Sequence, residues 1–269
     1  AVQYFTEALE LSDGWVQNVD YDMNYYLAGA YRKNGQPAEA KKVYDAILGL
    51  KPEEKDAYFL RGSAELELGD YESAKADFDK AISMDPKNYD RLIEIYEALA
   101  DYGYREVGQE YLQNVLNTDK KLDAYDSGRI YYYLGDYQKA YLALEEAKGK
   151  GGVDSYLYLG KAYAATGDYN YASSVYSNYL SKQGPDAEIY NQLGLCELAK
   201  KDYQKALEAF QAGKQIEGNS LMQTLSFNEI VAYEYLQDYQ KAAVLLKAYL
   251  QNYPDDQAAI REQQFLSTR

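Results

Sequence analysis

Histidine is absent from the 269 residues, and cysteine occurs once, at Cys196. Those two shortages exclude a disulfide framework, Cys/His zinc clusters and imidazole as a general acid or base. Basic residues are also few: 28 Lys and Arg face 43 Asp and Glu, a net charge of −15. A surface of that sign repels a phosphate backbone, so nucleic acid is not an expected partner. No run approaches the roughly 18 apolar residues of a membrane span, and no basic segment followed by an apolar one opens the chain. Direct membrane insertion of this stretch is therefore not expected. Proline occurs only five times, and its placements fit helix starts or positions just past helix ends.

Tyrosine is abundant, at 33 residues against six Phe and one Trp. Each ring supplies core volume and a polar tip, so many are expected to be half-buried. Their spacing is ordered. Tyr156-x2-Leu159-Gly160-x2-Tyr163, Gly167-Asp168-Tyr169 and Ala172-x3-Tyr176, followed by Pro185, reads as two amphipathic helices joined by a tight turn. The pattern returns about every 34 positions, the mark of a helical solenoid.

Full copies are expected at 21–54, 55–88, 89–120, 121–152, 153–186, 187–220 and 223–256, in one continuous solenoid. The third and fourth are each about two residues short. Residues 1–11, with Phe5 and Ala8, fit the second helix of a truncated repeat, which implies a native chain extending further upstream. Trp15, after Asp13-Gly14, is expected to cover the apolar end of that helix. Residues 257–269 are expected to form a capping helix with Ala258, Ile260 and Phe265 on one side.

Within a copy the local reasons are explicit. Gly69 can take the left-handed conformation that ends a first helix, and Asp70 can cap the second. Gly62, Ala74 and Ala81 let helices approach, while Tyr58, Tyr71 and Phe78 fill the space between pairs. Tyr96 stands where Gly or Ala is usual, which requires either an outward-leaning helix or a small neighbour. Gly149-Lys150-Gly151-Gly152 lacks the spacing and the Ser/Thr of a phosphate loop, and is expected to be a flexible turn. Cys196, with no base to activate it, is expected to be a buried structural thiol.

Carboxylates are numerous, but Glu145-Glu146, Asp255-Asp256 and the pair Glu65 and Glu67 point apart on a helix and are expected to be solvated surface. No two are singled out across a cleft as a glycosidase requires. Asp255-Asp256 and Asp85-Pro86 lack the alternating ligands of a calcium loop. No catalytic residue, metal or cofactor is expected, and the chain is not expected to be an enzyme.

The spacing of Tyr, Leu, Gly, Ala and Pro quoted above closely resembles the tetratricopeptide repeat family. That resemblance implies an all-α fold, a right-handed α-solenoid superhelix of antiparallel helix pairs, with a concave groove lined by the first helices. It implies a protein-interaction scaffold that binds an extended peptide or protein segment. Carried over by repeat position, the groove residues are Tyr25, Arg32, Phe59, Ser63, Ile93, Glu97, Tyr125, Arg129, Tyr132, Leu157, Tyr158, Lys161, Asn191, Gln192, Leu195, Phe227, Asn228 and Val231.

Arg129 and Lys161 hold equivalent places in consecutive repeats, flanked by Tyr125, Tyr132 and Tyr158. They either grip a partner's carboxylate together or are neutralised by Asp126, Asp154 and Glu188. The clamp with which one subgroup holds the Glu-Glu-Val-Asp tail of heat-shock chaperones is absent, because second positions are acidic at Asp22, Asp56, Asp90, Asp154 and Glu188. The alternative partner is a glycan, stacked on Tyr and bonded by Asn191, Gln192 and Asn228, as in helical-repeat proteins of the bacterial cell envelope. A monomer is expected. The acidic, histidine-free composition suits an extracytoplasmic, membrane-anchored bacterial lipoprotein over a cytoplasmic protein.

Overall fold

The computed structural model describes residues 2–3 and 18–268. From Asn18 onward it contains fifteen helices, and no strand among the described residues. The expected second helix over 1–11 and the cover by Trp15 fall outside the described residues, apart from Val2 and Gln3, which are helical.

The helices gather into two compact units, one up to Lys120 and one from Lys121. The first unit holds α1 (Asn18–Lys33), α2 (Pro37–Leu50), α3 (Lys55–Glu67), α4 (Tyr71–Met84), α5 (Tyr89–Asp101) and α6 (Arg105–Thr118). The second holds α7 (Ala124–Tyr133), α8 (Tyr137–Glu146), α9 (Gly152–Ala165), α10 (Tyr169–Gln183), α11 (Ala187–Ala199), α12 (Tyr203–Lys214), α13 (Met222–Tyr235), α14 (Tyr239–Asn252) and α15 (Gln257–Leu266). Within each unit every helix packs on the next, and first helices of adjacent pairs also touch, as α3 with α5 and α9 with α11. This is the nearest-neighbour packing of a helical repeat array.

The turns explain why each pair closes. Gly69 at φ 79° and Gly167 at φ 84° take the left-handed conformation that costs glycine least. The next N–H then turns back, from Asp70 to the Glu65 carbonyl at 2.9 Å and from Asp168 to the Tyr163 carbonyl at 3.0 Å. The same aspartates cap the second helices, Asp70 accepting from the Ser73 N–H and Asp168 from the Tyr171 N–H. In the last two pairs the glycine is replaced, yet Lys201 at φ 64° and Gln237 at φ 62° hold the same conformation.

Packing inside a pair rests on one small residue facing one large one. A Cβ on Gly62 would sit 2.8 Å from the Phe78 ring, and one on Gly128 would sit 2.6 Å from Leu144. The Gly160 and Gly194 positions are closed in the same way by the Tyr176 and Phe210 rings, both fully buried. The third pair reverses the arrangement. Tyr96 is the large residue on the first helix, and Gly108 on the second is its small neighbour, with a Cβ there only 2.9 Å from the Tyr96 ring.

The glycine-rich run after α8 is a turn. Gly149 and Gly152 have positive φ, and Gly151 lies so close to the Tyr125 ring that any Cβ would collide with it. The helix α15 closes the second unit, with Asp256 capping its start and Ala259 and Leu266 in its core, whereas Ala258 and Phe265 of the expected apolar side are exposed.

Candidate interaction face of the first helices

In the first unit the face is built from charges bridging one repeat to the next. Arg32 on α1 donates from Nε to Glu67 Oε1 on α3 at 2.6 Å. Arg91 on α5 donates to Asp56 Oδ1 at 2.7 Å and lies over the Phe59 ring at 4.0 Å. Phe59 also packs on Phe78. Ser63 is buried and spends its hydroxyl on the Phe59 carbonyl at 2.9 Å. Tyr25 packs against the first core, its hydroxyl buried and its pKa raised chiefly by that burial. Ile93 is buried, whereas Glu97 is exposed.

In the second unit aromatic rings surround a guanidinium. Arg129, only 7% exposed, lies over Tyr125 at 5.0 Å and over Tyr158 at 5.6 Å. Tyr158 meets Tyr132 edge-on at 5.5 Å, and its hydroxyl is 3.0 Å from that of Tyr133. Of the two arrangements open for Arg129 and Lys161, the structure has a carboxylate on each. Arg129 Nη1 is 3.5 Å from Asp126, and Lys161 Nζ is 3.4 Å from Glu188 on α11.

Gln192 donates to the same Glu188 at 2.8 Å. Asn228 on α13 donates to Asn191 Oδ1 at 2.9 Å, which buries Asn191. Leu157 is buried, Phe227 packs on Tyr249, Val231 is half-buried, and Leu195 is 40% exposed. The face therefore presents hydroxyl, ammonium, carboxylate and amide groups on successive first helices, already linked to one another.

Sequence reasoning missed Arg91, because the repeat positions carried over from the family skip the third. It also placed Glu65 on solvated surface, and that expectation fails, as it would at three carboxylates not singled out there. Glu65, Asp77, Glu197 and Glu229 are each buried. Cations compensate, Arg61 for Asp77 at 2.6 Å and Lys214 for Glu229 at 2.5 Å from neighbouring helices, and Lys200 for Glu197 at 2.8 Å from the end of the same helix. Glu65 faces Lys41 at the longer distance of 3.6 Å.

Burial, followed by the nearby Asp77 charge, pushes Glu65 from its ordinary 4.5 up to about 7. A carboxyl whose pKa rises on folding withdraws stability as pH climbs from the unfolded to the folded value. Glu65→Gln is therefore expected to match the native chain in stability near about pH 4 and to exceed it by about 1–2 kcal/mol above about pH 7, discounting the full shift for partial screening. Urea melts at the two pH values measure this. Cys196 behaves as a buried structural thiol, 4% exposed and pushed up to about 12 by burial.

Among the described residues, no group of three or more acidic, Cys or His side chains is placed to hold a metal ion, and no helix is long and apolar enough to cross a membrane.

Two descriptions of the tetratricopeptide repeat match this chain, one over residues 25–89 and 157–220 and the other over 227–256, together more than half of its length. The chain is 27% identical over 233 residues to tetratricopeptide repeat protein 21B of Xenopus laevis, covering 85% of this chain and 15% of that protein. It is 43% identical over 62 residues to the FK506-binding protein-like protein of Mus musculus, 23% of this chain and 18% of that one. A third relative is the UDP-N-acetylglucosamine–peptide N-acetylglucosaminyltransferase of Giardia intestinalis, 26% identical over 133 residues, 49% of this chain and 8% of the enzyme. The chain thus spans less than a fifth of the length of each.

A solved tetratricopeptide repeat protein from Parabacteroides merdae shares the fold with a TM-score of 0.56 at 16% identity, over 86% of this chain and 91% of that one. A chain of the APC/C hetero-tetramer Cut9–Hcn1 does so with 0.54 at 17% identity, over 98% and 52%. Proteins built of this repeat generally act as protein-interaction scaffolds. By its repeat spacing, its helix-pair geometry and these matches, the chain belongs to the tetratricopeptide repeat family.

Proposed function

We propose that this chain is a non-catalytic interaction scaffold that receives an extended segment of a partner protein along the first helices of its second unit. The observation that carries this reading is the set of three polar links between successive first helices, Tyr133 with Tyr158, Lys161 with Glu188 and its neighbour Gln192, and Asn191 with Asn228. An extended peptide offers alternating N–H and C=O groups, and hydroxyl, ammonium and amide tips on successive helices match that alternation. The tyrosine rings favour a peptide over a glycan. Tyr132, Tyr133 and Tyr158 pack against one another at 5.5 to 5.9 Å, whereas sugar stacking uses an open ring face.

Selection from a displayed peptide library tests this. The native chain is expected to enrich peptides carrying a carboxylate, with binding that weakens steeply with salt. Lys161→Glu is expected to weaken the selected peptides about tenfold or more. Unchanged binding by Lys161→Glu and Asn228→Ala would remove this face from the site. Salt-independent binding of a neutral oligosaccharide would assign the face to glycans instead.

A further inference from the structure

The fourth position of the repeat holds tyrosine at Tyr58, Tyr156 and Tyr190. The side chain leaves the first helix of its pair toward the second. The Tyr156 ring meets Tyr179 edge-on at 5.1 Å, and the Tyr190 Cβ is 3.2 Å from where a Cβ on Gly213 would stand. Tyr179 and Gly213 hold the same repeat position. The hydroxyls reach back to the end of the preceding pair. That of Tyr58 donates to the Pro52 carbonyl at 3.1 Å, and that of Tyr156 is 3.6 Å from where a Cβ on Gly149 would stand. The tyrosine thus fills a slot between the two helices of its own pair and the end of the pair before.

In the last pair the fourth position is Ser226. A cavity of about 250 Å³ lies between α13 and α14, bounded by Ser226, Ile230, Leu245, Ala248, Tyr249 and Tyr253. Tyr249 holds the repeat position of Tyr179 and Gly213, and Lys214, at the end of the preceding pair, forms another wall. The cavity therefore spans what the Tyr156 side chain spans in its own repeat, from the second helix of the pair to the end of the pair before. It is the tyrosine slot without its ring.

The walls suit such a ring. Tyr249, 4% exposed, supplies the aromatic contact that Tyr179 gives Tyr156, and Ile230, Leu245 and Ala248 add apolar surface. The charges that border the cavity are already matched, because Glu229 receives Lys214 at 2.5 Å and Gln211 at 2.8 Å. The Ser226 hydroxyl and the Asn252 amide carbonyl are acceptors for a phenolic hydroxyl. Met222, 39% exposed, and the exposed Asn252 border the cavity, so a ring can enter from solvent. An apolar cavity of about 150 Å³ already takes up benzene, and an unfilled one leaves its lining short of dispersion contacts.

We propose that this cavity binds a phenol ring brought by another molecule, either a tyrosine side chain of a partner protein or a free small phenol. The ring takes the place that Tyr156 and Tyr190 take in their own repeats, against Tyr249 and the apolar walls, with its hydroxyl toward the polar border. The site shares no residue with the polar links on the first helices and stands independently of the peptide reading.

The test is titration of the full chain, 15N-labelled, with para-cresol and with the acetylated, amidated tripeptide Gly-Tyr-Gly, Gly-Leu-Gly serving as the control. Saturable shifts confined to α12, α13 and α14 are expected with the phenol probes and not with the control. Ser226→Tyr supplies the ring from within, as the other repeats do, and should abolish the shifts while raising the urea midpoint. Ala248→Leu narrows the cavity from an exposed position on the facing helix, where folding tolerates it, and is expected to weaken binding about tenfold or more. Equal affinity for the two probes identifies the phenol alone as the ligand, and a peptide advantage of about tenfold or more identifies a partner's tyrosine. Absence of saturable shifts with both probes, equal binding of the leucine control, or undiminished binding in Ala248→Leu or in a folded Ser226→Tyr overturns the proposal.

Discussion

Phe210→Ala is expected to destabilise the second unit by about 3–5 kcal/mol, the cost of emptying a fully enclosed aromatic site. Phe210 is 0% exposed, and its ring occupies the space that Gly194 leaves on the facing helix. The backbone cannot collapse into the gap, because the same interface is fixed on both sides by neighbouring pairs. Urea denaturation followed by far-UV circular dichroism would read the change as a lower midpoint. The geometry adds a sharper expectation. Gly194→Ala alone should destabilise by pressing a methyl group into the ring, and combining it with Phe210→Leu should cost less than the sum of the two single changes.

Arg61→Ala is expected to cost the first unit about 3 kcal/mol or more, because it strands a buried carboxylate. Asp77 is 6% exposed and receives two of the guanidinium's hydrogen bonds. Glu65, close by on the same helix as Arg61, also loses one of the two cations, after Lys41, that oppose the rise in its pKa. The replacement Arg61→Leu with Asp77→Val gives the pair what other repeats carry at these positions, as at Leu27, Leu159, Val43 and Val175. That double variant should return to within about 1 kcal/mol of the native chain, since well-packed apolar groups replace a buried ion pair at little cost. If both the single and the double variants lose equally, the charges are not what the site depends on.

The contrast between these two sites marks how far the sequence could be read. Gly194 facing Phe210 repeats, as Gly62 facing Phe78 and Gly160 facing Tyr176, at one spacing, so the pairing of helices and the turns between them were legible. The Tyr96 position was legible as a conflict, and the structure resolves it through Gly108. Charges were harder, because their partners sit in the next repeat rather than the same helix. Arg32 with Glu67, and Arg91 with Asp56, are each separated by 35 residues, one repeat plus one. That offset is a usable signal, but an acidic chain offers many opposite charges at many offsets. The gathering of helices into two units had a fainter trace: the boundary at Lys120 falls between the two repeats that are each about two residues short.

The left-handed residues Lys201 and Gln237 give the second unit a polarity along the chain. A side chain in that conformation costs about 1 kcal/mol relative to glycine, a penalty absent from the turns at Gly135 and Gly167. The last two helix pairs are therefore held closed against a bias that the earlier ones do not carry. Under native conditions, amide protons of α12 and α14 should exchange ahead of those of α8 and α10, so that breathing of this array begins at its C-terminal end.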